Sequence, residues 1–229
     1  MHVVSVVDGS LQRRMESKSP GRSIVTGLVD LDALSPRGVF ALGAVHEVLS
    51  PLPVPSVILP ILFARAASRL GRVAWCGDDD LYPPAVGAMG VPLDRLMILR
   101  TTTQADRLRA AVECLRCRGV AMCVATLGRL SRVQARRLQL AAERGGGMGV
   151  LLRPAEAASW PYAAATRWMV KPAPGERMVQ RFSVELNHGH GGRLGRRVLL
   201  EWNRETHHVR SSAMLAGRPD QTQVVPASA

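Results

Sequence analysis

Few residues of this chain stand in patterns that do chemistry. Cys114-x-x-Cys117 has the spacing of a redox pair or of half a zinc site. No second CxxC follows, and His188, His190, His207 and His208 would have to complete a ligand set by folding. The pair is therefore read as unliganded thiols, and no metal is expected. Cys76 and Cys123 lie in apolar, strand-like runs and are read as packed and inert. Asp78 to Asp80 are three carboxylates in a row, read as a solvated turn and helix cap. A phosphate-binding turn needs glycines whose N–H groups close around the anion, then a lysine and a hydroxyl. The only lysines are Lys18, preceded by Ser17, and Lys171, followed by Pro172, so neither completes that motif. No catalytic residue and no cofactor is expected.

What remains is cationic and aromatic. Formal net charge is +12, carried almost wholly by arginine, and such a surface attracts polyanions. Arg129, Arg132, Arg136, Arg137 and Arg144 cluster on and around one helical segment. Spacings of three and four place Arg129, Arg132 and Arg136 on one side of it. Such a stripe meets phosphates or an acidic protein face, or is simply a solvated helix face. Trp160-Pro-Tyr162 offers aromatics that anchor a partner, stack on a base or fold back onto the core.

The positioning elements follow from periodicity. The chain has 229 residues, 47% hydrophobic and only 4% aromatic, enough for one domain with an aliphatic core. No run reaches the roughly 20 apolar residues of a membrane span, and no signal peptide is recognisable, so a cytoplasmic, nucleoid-associated protein is expected. Residues 1–23 read as a flexible arm and 206–229 as a disordered tail around a domain at 24–205. Gly43–Leu49, Arg72–Cys76, Leu96–Leu99, Gly119–Ala125 and Gly149–Leu152 read as strands apolar on both faces. Helical patterns at Ser56–Leu70, Pro83–Met89, Gln104–Arg116 and Ser131–Arg144 separate them. This alternation predicts an α/β fold with a mainly parallel sheet covered on both sides. Ala165–Val170 follows as another strand, and Arg181–Asn187 and Val198–Trp202 flank a glycine-rich turn as an antiparallel hairpin.

The order of these pieces resembles the RecA core over roughly residues 26–203. It begins at Thr26-Gly-Leu-x-x-Leu-Asp32 with Gly38 and Gly43-x-Val-x-Glu47, and continues at DDDLYPPAVGAMGV (78–91). More specifically, LGAVHEV (42–48), RVAWC (72–76), LYPPAVGAMGV (81–91), RRLQLAAERGGGMGVLLRP (136–154) and TRWMV (166–170) are similar to the ImuA family, RecA-related accessory proteins of bacterial mutagenesis cassettes. The resemblance implies a RecA-like core with a degenerate phosphate loop. Its slot, Ser50 to Val57, holds Pro51, Pro53, Pro55 and Ser56 and neither glycine nor lysine; prolines also remove N–H donors. Ala125 stands where the metal-side acid is expected, and Asp78 where RecA-type enzymes carry a water-activating glutamate. ATPase activity is therefore not expected. The stretches 127–130 and 154–165 leave little room for the two DNA-binding loops of RecA. By resemblance, the expected function is a non-catalytic adaptor in SOS translesion synthesis. Its expected partners are an error-prone polymerase-like mutasome subunit and RecA, and direct binding of single-stranded DNA is the alternative. No membrane partner is expected.

Overall fold

The computed structural model describes residues 22–51, 56–77, 81–160 and 164–215, with side chains to Ser211. Nine strands form one sheet: β3 (Ala44–Ser50), β4 (Arg72–Gly77), β5 (Leu96–Arg100), β6 (Val120–Thr126), β7 (Met148–Pro154), β8 (Thr166–Glu176), β9 (Val179–Gly189), β10 (Arg197–Asn203) and β11 (Val209–Leu215). Their order is β11-β10-β9-β8-β3-β7-β6-β4-β5. From β8 to β5 all neighbours are parallel; from β8 to β11 they alternate antiparallel. The parallel half is apolar on both faces because helices cover both. A small second sheet pairs β1 (Ser23–Ile24) with β2 (Phe40–Ala41). Between these two strands runs a single helical turn, α1 (Val29–Asp32), whose Asp32 accepts from the backbone and hydroxyl of Thr26.

On one face, α2 (Ile58–Ala67) packs its apolar side against Val48, Val73, Met122 and Val150. Further on, α3 (Pro83–Ala88) is short, with proline at its start, where no N–H is required. On the other face lie α4 (Gln104–Arg116) and α5 (Arg132–Gly145), over Val45, Ala74, Cys123 and Leu151. Both begin on side-chain caps: Thr103 accepts from the backbone of Asp106, and Ser131 and Gln134 form a reciprocal capping box. A left-handed Gly146 closes α5. Its neighbour Gly145 is fixed by contact, since a Cβ there would collide with the carbonyl oxygen of Leu115 at the end of α4. Gly145→Ala should therefore push the two helices apart and cost about 1–3 kcal/mol in urea unfolding.

Two domain boundaries move. Val209–Leu215, read as part of a tail from 206, is the edge strand of the sheet, in register with β10. Arg210 donates to Glu201 at 2.7 Å and Ser211 to Asp30 at 2.6 Å, so tertiary partners hold a segment without apolar periodicity. Ser23, read as the end of the arm, already belongs to β1. Residues 1–21 and 216–229 lie outside the described residues. Strand β8 also runs past the expected Val170 to Glu176. Beyond Met169 it pairs only with β9, so Pro172 and Pro174 cost no bond to β3.

One buried polar chain crosses the core. Ala41 O can only accept, so the Nε2 of His46 carries the proton at 2.9 Å. Its Nδ1 then accepts from the Thr166 hydroxyl at 2.6 Å, whose oxygen accepts from Trp168 Nε1 at 2.7 Å. Burial pulls the His46 pKa down to about 4, against a partial rise from the Ala41 bond. The unfolded chain therefore takes up this proton first. Stability should be whole above the ordinary histidine pKa and fall by about 3 kcal/mol as pH drops from there to the folded value, with no further loss from this group below it. Urea midpoints measured across that range check the sign.

Candidate functional site

The arginine stripe divides into two places. Ser131 caps α5, so Arg129 lies before the helix rather than on it. Arg132, Arg136, Arg137 and Arg144 stay together on α5, joined by Arg116 from the end of α4. They surround a shallow groove of about 900 Å³ that also holds Val133, Leu140, Ala141 and Glu143. Leu138, Ala141 and Ala142 pack α5 on the sheet, which turns Val133 and Leu140 outward at 77% and 47% exposure. Gln139 fixes the rotation of the helix, accepting from Val45 N at 3.2 Å. The face thus combines five guanidinium groups, one carboxylate and two exposed aliphatic side chains.

Arg129 instead lies 6.0 Å from the Trp160 ring centre, and Arg153 lies 5.2 Å from it. Trp160 is half-buried against Leu49, Ala157 and Met169. Its ring is thus engaged by two guanidinium groups and core side chains, the core-packing alternative of the sequence reading. Tyr162 lies outside the described residues.

The carboxyl ends of the parallel strands are where an open α/β sheet normally receives a ligand. Beneath them lies a buried charge network that sequence reasoning did not pick out, from the middle of β3, the start of β8 and the end of β7. Glu47 on β3 stands beside Arg167 on β8 in register, and Arg153 lies diagonally on β7. Arg153 donates to one Glu47 oxygen at 2.6 Å and Arg167 Nε to the other at 2.7 Å. All three side chains are at most 3% exposed. Arg153 Nη2 also donates to the carbonyl oxygen of Gly128, and Arg167 to those of Ala158 and Trp160, while the buried Nε of Arg153 finds no partner among the described residues. One carboxylate thus joins three strands and two connecting loops.

The slot of the degenerate nucleotide site is only partly described. Ser50 and Ser56 are buried, Pro51 is exposed, and Ser56 Oγ finds no hydrogen-bond partner among the described residues. Pro53, Pro55 and Asp78 lie outside them. Ile58 and Leu59 are buried in the main core, and Val57 packs against it. Pro60 sits in the first turn of α2, where it offers no N–H. Ala125 is buried on β6, and Arg107 closes the end of that strand by donating to Thr126 O at 3.0 Å. Only five residues join β6 to α5, and a single 3₁₀ turn, Ala155–Ser159, begins the link from β7 to β8.

No protein-family model matches the chain. It is 30% identical over 207 residues to Protein ImuA of Caulobacter vibrioides, covering 80% of this chain and 85% of that protein; the same figures hold for the proteins of strains NA1000 / CB15N and ATCC 19089 / CIP 103742 / CB 15. Among solved structures, the RadB recombinase superposes with a TM-score of 0.62 at 14% identity, covering 82% of this chain and 99% of that one. The architecture is the RecA-like α/β fold, with its mixed sheet and flanking helices. Among the described residues no helix is long and apolar enough to cross a membrane.

Proposed function

Because the chain belongs to the ImuA family, we propose that it acts as a non-catalytic adaptor in SOS translesion synthesis, docking an error-prone polymerase-like subunit on the arginine-rich groove of α5. Family and fold give it a RecA-related accessory role in DNA repair. The observation that carries the finer reading is the exposure of Val133 and Leu140 inside the ring of arginines. A nucleic-acid backbone calls for cations alone, whereas an acidic partner helix or loop buries aliphatic side chains between the charges. RecA itself is a second candidate partner for the same core.

Absence of ATP turnover is part of the proposal. The slot after β3 carries no glycine or lysine in sequence, and Ala125 replaces a carboxylate with a methyl group. The buried Glu47 carboxylate is paired with Arg153 and Arg167 on the two neighbouring strands. The alternative is direct binding of single-stranded DNA, favoured by the net charge of +12. Co-expression of the full chain with the polymerase-like subunit, followed by nuclease treatment, tests the choice. Recovery of a protein complex without nucleic acid supports the adaptor. Steeply salt-sensitive binding of single-stranded DNA by the chain alone, with no protein complex, replaces it with the alternative.

A further inference from the structure

The cysteine pair offered by spacing is not the group that the fold assembles. Cys117 is exposed at the end of α4, apart from its neighbour. Cys114 instead turns toward the sheet and meets Cys76 of β4 and Cys123 of β6. The three sulfur atoms lie within 4.8 Å of one another, and those of Cys76 and Cys123 are 3.8 Å apart. Strand parity explains the meeting. Ala74 and Cys76 share a face with Cys123 and Ala125, and α4 packs on that face. Metal–sulfur bonds of about 2.3 Å in a planar three-coordinate site place the sulfurs about 4 Å apart, close to the 3.8 Å between Cys76 and Cys123 and within the 4.8 Å that bounds all three pairs.

We propose that Cys76, Cys114 and Cys123 form a three-coordinate sulfur site, two thiolates and one thiol, for a soft monovalent d10 cation, with copper(I) as the ion. Three features select that chemistry. All the ligand atoms are sulfur, which prefers soft ions. Among the described residues no fourth His, Cys, Asp or Glu atom joins the group, so the tetrahedral set that zinc requires is incomplete. The surroundings, including Leu108, Ala111, Leu127 and Leu99, are apolar and favour a low net charge. Binding is written Cu⁺ + 3 RSH → [Cu(SR)₂(HSR)]⁻ + 2 H⁺.

The test uses the reduced full chain without oxygen, titrated with copper(I) against bicinchoninate. One equivalent should be retained, three sulfur neighbours should appear in the copper X-ray absorption spectrum, and the thermal midpoint should rise. Cys114→Ser, half-buried and thus the variant least disturbing to the core, should weaken retention by at least about a hundredfold and abolish the rise in midpoint. Cys117→Ser should leave both unchanged. The proposal is overturned if the wild type retains no copper, if Cys117→Ser loses as much as Cys114→Ser, or if zinc(II) displaces the copper at equal concentration.

Discussion

Glu47→Ala is expected to lower stability by about 3–5 kcal/mol, enough to prevent accumulation of the folded chain. The reason is the charge left behind. Arg153 and Arg167 are almost fully buried, and a guanidinium group does not shed its proton to escape burial. With the carboxylate gone, two cations face each other across β3 with only carbonyl oxygens for company. Arg153→Met should cost much less, because the remaining Arg167–Glu47 pair is neutral and keeps its hydrogen bonds. Chemical denaturation of both variants checks the order. Equal losses would mean that the network contributes packing rather than charge balance.

The second large effect concerns binding. Reversing Arg132, Arg136 and Arg137 to glutamate is expected to weaken the complex with the polymerase-like subunit by at least about a hundredfold, since like charges would then face each other across the groove. All three side chains are exposed, so folding should change by no more than about 0.5 kcal/mol. Val133→Asp should act in the same direction through the apolar part of the face. Titration of labelled partner, beside thermal unfolding of each variant, separates lost contact from lost fold.

The elements with local signals were legible from sequence. The bounds of α4 follow from Thr103 as a cap and from Leu108, Ala111, Val112 and Leu115 on one face. Those of α5 follow from Ser131 with Gln134 and from the glycines after Arg144. Strand β11 was not legible, because Arg210, Ser211 and Ser212 break any apolar alternation and what holds it is tertiary: Glu201 on the neighbouring strand and Asp30 at the other end of the chain. The network around Glu47 left a signal that periodicity overlooks: three charged residues of complementary sign, each next to large apolar residues of its strand, Val48, Leu152 and Trp168. The thiol group was half legible. Parity puts Cys76 and Cys123 on one face, but the meeting of that face with Cys114 depends on how α4 packs. Arg129 was misplaced because helical spacing was extended one turn beyond the cap.

The central claim is that a RecA-like core here works by contact, without nucleotide. Sedimentation of the purified chain with the polymerase-like subunit, in buffer free of nucleotide and then with magnesium-ATP, tests it most directly. The expected result is one complex of the same size and affinity in both, with no phosphate released. A complex that forms only with magnesium-ATP, or hydrolysis that tracks the chain, would contradict it.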